Sequence, residues 1–168
     1  MPDVFVGVGS NADPAAALRV AVAALEQRFG RVSCSSVYRS AAVGPPAADY
    51  LNAVVAFATP EPIAVLRDAL HAIETRAGRR RADPAVTELD LDLLLYGSRV
   101  DALVRVPRPG LFTLPFVVGP LAELAPDLVH PVTGERCEAA WQAAPPGALV
   151  RLGALRARPL EVPEGGLA

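Results

Sequence analysis

Residues 89–97 read LDLDLLLYG, a run that suits only a strand and that must deal with two acids on one side. Side chains alternate across a strand, so Asp90 and Asp92 share a face, with origins on the order of 6–7 Å apart. Leu89, Leu91 and Leu93 point the other way, toward a core. Leu94 falls on the aspartate side, so that face is not wholly solvated. Two carboxylates held this close are costly unless a cation or a proton stands between them. Mg²⁺ is the natural cation, because it takes one or two protein carboxylates and completes its shell with water and substrate phosphates. The alternative is an edge strand with two solvated acids, and the stretch alone leaves both open.

The chain has 168 residues, enough for one domain with a full core, expected over residues 1–160 with 161–168 as a flexible tail. An apolar content of 52% with 20% charged residues belongs to a globular protein. The formal net charge of -2 offers no general pull on nucleic acid or anionic membrane, so any anion site must be local. No apolar run is long enough to span a bilayer, and the N-terminus lacks the basic start of a signal peptide. Cys34 and Cys137 match no metal or redox spacing and are expected as reduced thiols of a cytoplasmic protein.

Along the chain, DVFVGVGS alternates as a strand, and Asn11 or Asp13 is placed to cap a helix that opens with Pro14. Leu18, Ala21, Leu25 and Phe29 recur at helical spacing up to Gly30. RVSCSSVYRS and YLNAVVAFAT read as strands on either side of a Gly-Pro-Pro loop. Ile63, Leu66, Leu70 and Ile73 mark a second helix that ends near Gly78. After the aspartate strand, Gly97-Ser98 turns the chain into an expected short partner strand, VDALVRVP. FTLPFVVGPLAELAP reads as a third helix interrupted near Pro120, and the remainder is weakly patterned. The order predicts an α+β ferredoxin-like fold with a βαββαβ core, its helices on one face of a mainly antiparallel sheet.

Other residues bear on chemistry. Arg79, Arg80 and Arg81 lie on the loop before the aspartate strand, either as a solvated charge run or as guanidinium partners of a nucleotide's phosphates. GVGSN is glycine-rich but is neither G-x-x-x-x-G-K-[ST] nor G-x-G-x-x-G, and reads as a turn between strand and helix. Asn52 sits inside an apolar strand on the same face as Tyr50 and needs partners, from backbone or from the amide-like edge of a heterocycle. Phe116 is either core or a stacking surface, and His71 with Glu74, one helical turn apart, are either a surface pair or part of a site. Aromatics of only 5% and a net acidic chain speak against an RNA-binding use of the fold.

Taken in order, GVGSN, SSVYRSAAVGPPAADYLNAVVAF, IETRAGR, LDLDLLLYG and GPLAELAP resemble the 6-hydroxymethyl-7,8-dihydropterin pyrophosphokinase family of folate biosynthesis, over roughly residues 4 to 130. The resemblance implies a monomer that transfers the pyrophosphoryl group of ATP to the pterin hydroxymethyl oxygen. It implies that Asp90 and Asp92 hold two Mg²⁺ ions, with Arg79 as a further catalytic group. ATP would meet His71, Glu74, Arg79, Arg81, Leu93 and Arg108. The pterin would meet Ser40, Val43, Tyr50, Asn52 and Phe116. Against that pattern, the loop before LDLD is shorter and lacks an aromatic residue, and Thr87 stands where an arginine is usual. Arg108 replaces a histidine after Val-Pro, and Leu114 replaces an arginine.

Overall fold

Val4, Val6 and Val8 line one side of β1 (Asp3–Ser10), the strand around which the sheet is built. The computed structural model describes residues 1–78 and 83–155. On one side β1 pairs antiparallel with β5 (Asp90–Tyr96), and on the other with β4 (Tyr50–Ala58). Beyond β4 lie β2 (Ser33–Cys34) and β3 (Ser36–Ser40), and β6 (Val150–Ala154) pairs with β3. The spatial order is β5-β1-β4-β3-β6, with β2 also on β4. Helix α1 (Pro14–Phe29) joins β1 to β2 and skips β4, while α2 (Ile63–Arg76) joins β4 to β5 and skips β1. Two interlocked β-α-β units of this kind make the ferredoxin-like α+β core that the sequence predicts.

Both faces of the sheet carry helices, which corrects the expectation of one. Helices α1 and α2 bury Leu18, Leu25, Leu66 and Leu70 against Val4, Val6, Leu51, Val55 and Phe57. Each such side chain contributes about 1.5–3 kcal/mol when fully buried. The opposite face presents Val54, Leu94 and Leu95, which also need cover. Helices α3 (Pro115–Leu124) and α4 (Cys137–Gln142) supply it through Val117, Val118, Leu121 and Ala140.

Four local expectations are corrected. Helix α3 runs through Pro120 without interruption. Its buried Val117, Val118 and Leu121 outweigh the ~3 kcal/mol that an internal proline costs. Helix α1 has no side-chain cap: Asp13 takes a left-handed backbone (φ 44°), and Asn11 spends its amide on the segment before β5. The segment after Gly97 forms no strand, only a single bridge between Asp101 and Val106 around a tight turn. Val100 and Leu103 are exposed there, so no buried row exists to draw the segment into the sheet. The weakly patterned C-terminal part contains α4 and β6.

Glu123 locks α3 to the sheet. Its Oε1 accepts from the Ser36 backbone (3.0 Å) and hydroxyl (2.8 Å), its Oε2 accepts from the Tyr38 phenol (2.7 Å), and Arg151 lies 3.7 Å away. Burial, with this carboxylate beside it, pushes the Tyr38 phenol up from 10.0 to about 12. Burial also acts to raise Glu123, but the hydrogen bonds from Tyr38 and Ser36 and the charge of Arg151 outweigh it and hold its carboxyl low. A depressed carboxyl stabilises the fold above its unfolded pKa and loses that contribution as pH falls; a raised phenol loses its contribution as pH rises past 10. Thermal unfolding across pH is therefore expected to show a shallower acid limb in Glu123→Gln and a shallower alkaline limb in Tyr38→Phe. Limbs unchanged from the parent would contradict the assignment.

Candidate active site

The register of three strands builds the site's floor. Asp90 pairs with Gly9, and Gly9 with Asn52; one pleat along, Asp92 pairs with Gly7 and Gly7 with Val54. Neighbouring strands lie about 4.8 Å apart, so Asp90 and Asn52 flank a bare strip roughly 10 Å across. Neither glycine has a left-handed backbone, so the reason for glycine is space. A Cβ on Gly9 would stand 3.3 Å from Asn52 Oδ1, and one on Gly7 would stand 3.5 Å from a Leu94 methyl. GVGSN is thus not a turn: Gly7 to Ser10 lie within β1. Over the strip opens a cleft of about 220 Å³ lined by Ser40, Val43, Tyr50, Asn52, Asp90, Asp92, Arg108 and Phe116. Asn52 is buried and donates to Ser40 Oγ at 2.9 Å, which fixes its amide plane. Gly9→Val is expected to keep the fold, since valine suits a strand, but to fill the floor and displace Asn52. The Michaelis constant for the ligand seated there should rise by about tenfold or more, measured beside an unchanged circular dichroism spectrum.

A second cleft, of about 250 Å³, shares Asp90, Asp92 and Arg108 with the first. Its other walls are Arg67, His71, Glu74, Leu93 and Arg105, so it is rich in polar groups where the first is largely apolar. The aspartates stand at the junction of the two. Glu74 is not a surface residue: it is 4% exposed, and its Oε1 accepts the Leu91 backbone N–H at 2.7 Å. β5 is an edge strand, so that N–H has no strand partner on its outer side, and a helix carboxylate takes the place of one. This bond sets the backbone between the two aspartates from α2. Arg108 donates to Asp92 Oδ2 through Nε (2.9 Å), and its Nη2 lies 2.8 Å from the same oxygen as an ion pair.

The segment before β5 is pinned by hydrogen bonds. Asn11 Oδ1 accepts the Thr87 N–H at 2.6 Å, and its amide donates to the Ala85 carbonyl at 2.8 Å. The Thr87 and Tyr50 hydroxyls are 2.7 Å apart, and Ser10 Oγ donates to the Glu88 carbonyl at 2.7 Å. Position 87 therefore braces Tyr50 and carries no charge toward the clefts. Arg79, Arg80 and Arg81 lie outside the described residues. Every other residue singled out from the sequence as a site candidate lines one of the two clefts or both. Gly7, Gly9, Arg67 and Arg105 line them too and were not singled out. The signal for the glycines was their own two-residue spacing, which matches that of the aspartates across the ladder.

No group of three or more His, Cys, Asp or Glu side chains stands ready to cage a metal among the described residues. Two carboxylates on one face beside a polar cleft suit instead an ion such as Mg²⁺, which retains waters and takes the rest of its shell from phosphates. The residues present fit that ion when a polyphosphate is bound with it.

Comparison with known proteins agrees with this geometry. Residues 5–126 match the family described as 7,8-dihydro-6-hydroxymethylpterin-pyrophosphokinase (HPPK). The chain is 39% identical over 155 residues to the 2-amino-4-hydroxy-6-hydroxymethyldihydropteridine pyrophosphokinase of Synechocystis sp., covering 83% of this chain and 80% of that protein. It is 36% identical over 138 residues to the protein of the same name from Haemophilus influenzae, covering 78% and 86%. Among solved structures, the Plasmodium falciparum HPPK-DHPS protein superposes with a TM-score of 0.63 over 84% of this chain. The chain spans 43% of that longer protein at 10% identity, a likeness of fold alone. On the match across residues 5–126 and on these relatives, the chain belongs to the HPPK family, the ATP-dependent pyrophosphokinases of folate biosynthesis.

Proposed function

We propose that the chain performs its family's reaction with the pterin ring over the Gly7–Gly9 floor and the ATP polyphosphate in the polar cleft. The hydroxymethyl oxygen of 6-hydroxymethyl-7,8-dihydropterin attacks the β-phosphorus of ATP. A new O–P bond forms, the bond from the β-phosphorus to the α,β-bridging oxygen breaks, AMP leaves with that oxygen, and the hydroxyl proton passes to solvent. The observation that carries this reading is the position of Asp90 and Asp92 at the junction of the two clefts.

Each residue's part follows from its place. The buried Asn52 amide reads the polar edge of the ring, with Ser40 holding it, and Phe116 and Tyr50 close on its faces and rim. Val43 is an exposed apolar residue at the mouth. Asp90 and Asp92 would hold two Mg²⁺ ions beside the phosphates. When bound, these ions neutralise phosphate charge and lower the cost of ionising the attacking hydroxyl. His71, Leu93, Arg108 and Glu74 line the nucleotide side, Glu74 acting mainly through the backbone of Leu91. Arg79 and Arg81 are assigned to the phosphates as well. Phosphoryl transfer of this type needs little covalent help, so positioning and charge neutralisation supply most of the rate.

The chain's own residues line both clefts, which supports a monomer as the working unit. Cys34 and Cys137 form no disulfide, which supports a cytoplasmic setting. No helix among the described residues is long and apolar enough to cross a membrane, and a membrane or nucleic-acid partner has no part in this reading. Phosphorus NMR of ATP, Mg²⁺ and the pterin with the protein tests the reaction. AMP and a pterin diphosphate are expected; binding of both substrates without AMP would mark instead a binding paralogue.

A further inference from the structure

Arg108 occupies the place where the reading above, on which this inference rests, seats a cation. Its guanidinium edge is spent on one oxygen, Asp92 Oδ2, through Nε and Nη2. Nη1 is held by the Pro109 carbonyl at 3.1 Å, and the Arg108 backbone N–H is held by the Leu94 carbonyl at 2.9 Å. The loop is thus tied to β5 while the side chain reaches back along it. The pair is only partly exposed, 25% for Arg108 and 38% for Asp92, and both residues line both clefts. A divalent ion at Asp92 and a guanidinium on the same oxygen compete for its lone pairs and repel each other.

We propose that Arg108 is an exchangeable counter-ion: it holds Asp92 when no metal is bound, and metal binding with nucleotide releases it to a phosphate oxygen. One guanidinium serves both partners, because carboxylate and phosphate each present anionic oxygens that accept charge-assisted hydrogen bonds from it. The consequence has two opposite signs. In the nucleotide-free protein Arg108 competes with metal, and in the ternary complex it adds a contact to the nucleotide. Metal alone then binds weakly, and metal with nucleotide binds together.

The test uses the full chain and Mn²⁺ as the probe, followed by electron paramagnetic resonance. Without nucleotide, Arg108→Met and Arg108→Ala are expected to tighten Mn²⁺ binding by roughly fivefold to tenfold over the parent. In the presence of Mg²⁺, the same variants should bind α,β-methylene-ATP about tenfold more weakly. Arg105→Met removes a charge from the same cleft without touching Asp92, and should change Mn²⁺ affinity less than about twofold. Unchanged or weaker Mn²⁺ binding in Arg108→Met overturns the exchange, as does an equal gain in Arg105→Met. Asp92→Asn separates this from the underlying reading: if it binds Mn²⁺ as the parent does, the metal assignment of Asp92 itself fails.

Discussion

Asp92→Asn is expected to lower the turnover rate for AMP formation by roughly 10²- to 10³-fold with little change in thermal stability. The substitution keeps size and shape at a half-exposed position of β5, so the sheet has no reason to shift. What it removes is charge at the junction of the two clefts, where the proposed reading seats the transferring group. A carboxylate that holds metal on a polyphosphate acts on the reacting group, so the loss belongs mainly to turnover. The pterin Michaelis constant should move far less, because Asn52 lies on β4, across β1 from the aspartate strand. Asp90→Asn should behave alike, and steady-state kinetics at saturating Mg²⁺ checks both. Turnover within about tenfold of the parent would show that these acids are not the metal-bearing pair.

Leu94→Ala is expected to cost about 2–5 kcal/mol of stability. Leu94 is fully buried in the second core, beneath α3, and it also lines the apolar cleft. It sits where the β1–β5 register slips: Phe5 pairs with Leu95, but Val6 pairs with Leu93. This bulge lets Asp92, Leu94 and Leu95 share one face while Leu91, Leu93 and Tyr96 serve the other. Removing the side chain empties the space that supports both the bulge and the Gly7 floor. The melting temperature should fall by about 5–15 °C, and the pterin Michaelis constant should rise with it. A fall of less than about 2 °C in a calorimetric scan would mean that the second core does not anchor the aspartate strand.

The central parts of this site are legible in the chain because strand alternation is a strict rule. Asp90 and Asp92 are two residues apart, and so are Tyr50 and Asn52; each pair had to share a face, and each lines the cleft. Gly7 and Gly9 obey the same rule, yet a run of glycines before a polar pair reads most simply as a chain reversal. Only the ladder register shows that they lie opposite the aspartates. β6 was not legible because it is largely exposed along its length and so lacks an alternating apolar row. The same cause, in reverse, bears on VDALVRVP: three valines and a leucine look like a strand, but only Val106 of that segment is buried. Glu74 was visible as a neighbour of His71 on a helix, but its turn inward to Leu91 depends on where β5 comes to rest. Arg108 could be seen to depart from its family's usual residue, while its partner Asp92 emerged only from the fold.

The most direct test is a crystal structure of the protein with α,β-methylene-ATP, Mg²⁺ and 6-hydroxymethyl-7,8-dihydropterin. The prediction is metal ions bound by Asp90 and Asp92 at about 2.0–2.1 Å, the polyphosphate in the polar cleft, and the pterin ring lying over Gly7 and Gly9 against Asn52. A nucleotide seated elsewhere, or phosphates in that cleft with no metal on either aspartate, would contradict the assignment of this strand as the centre of catalysis.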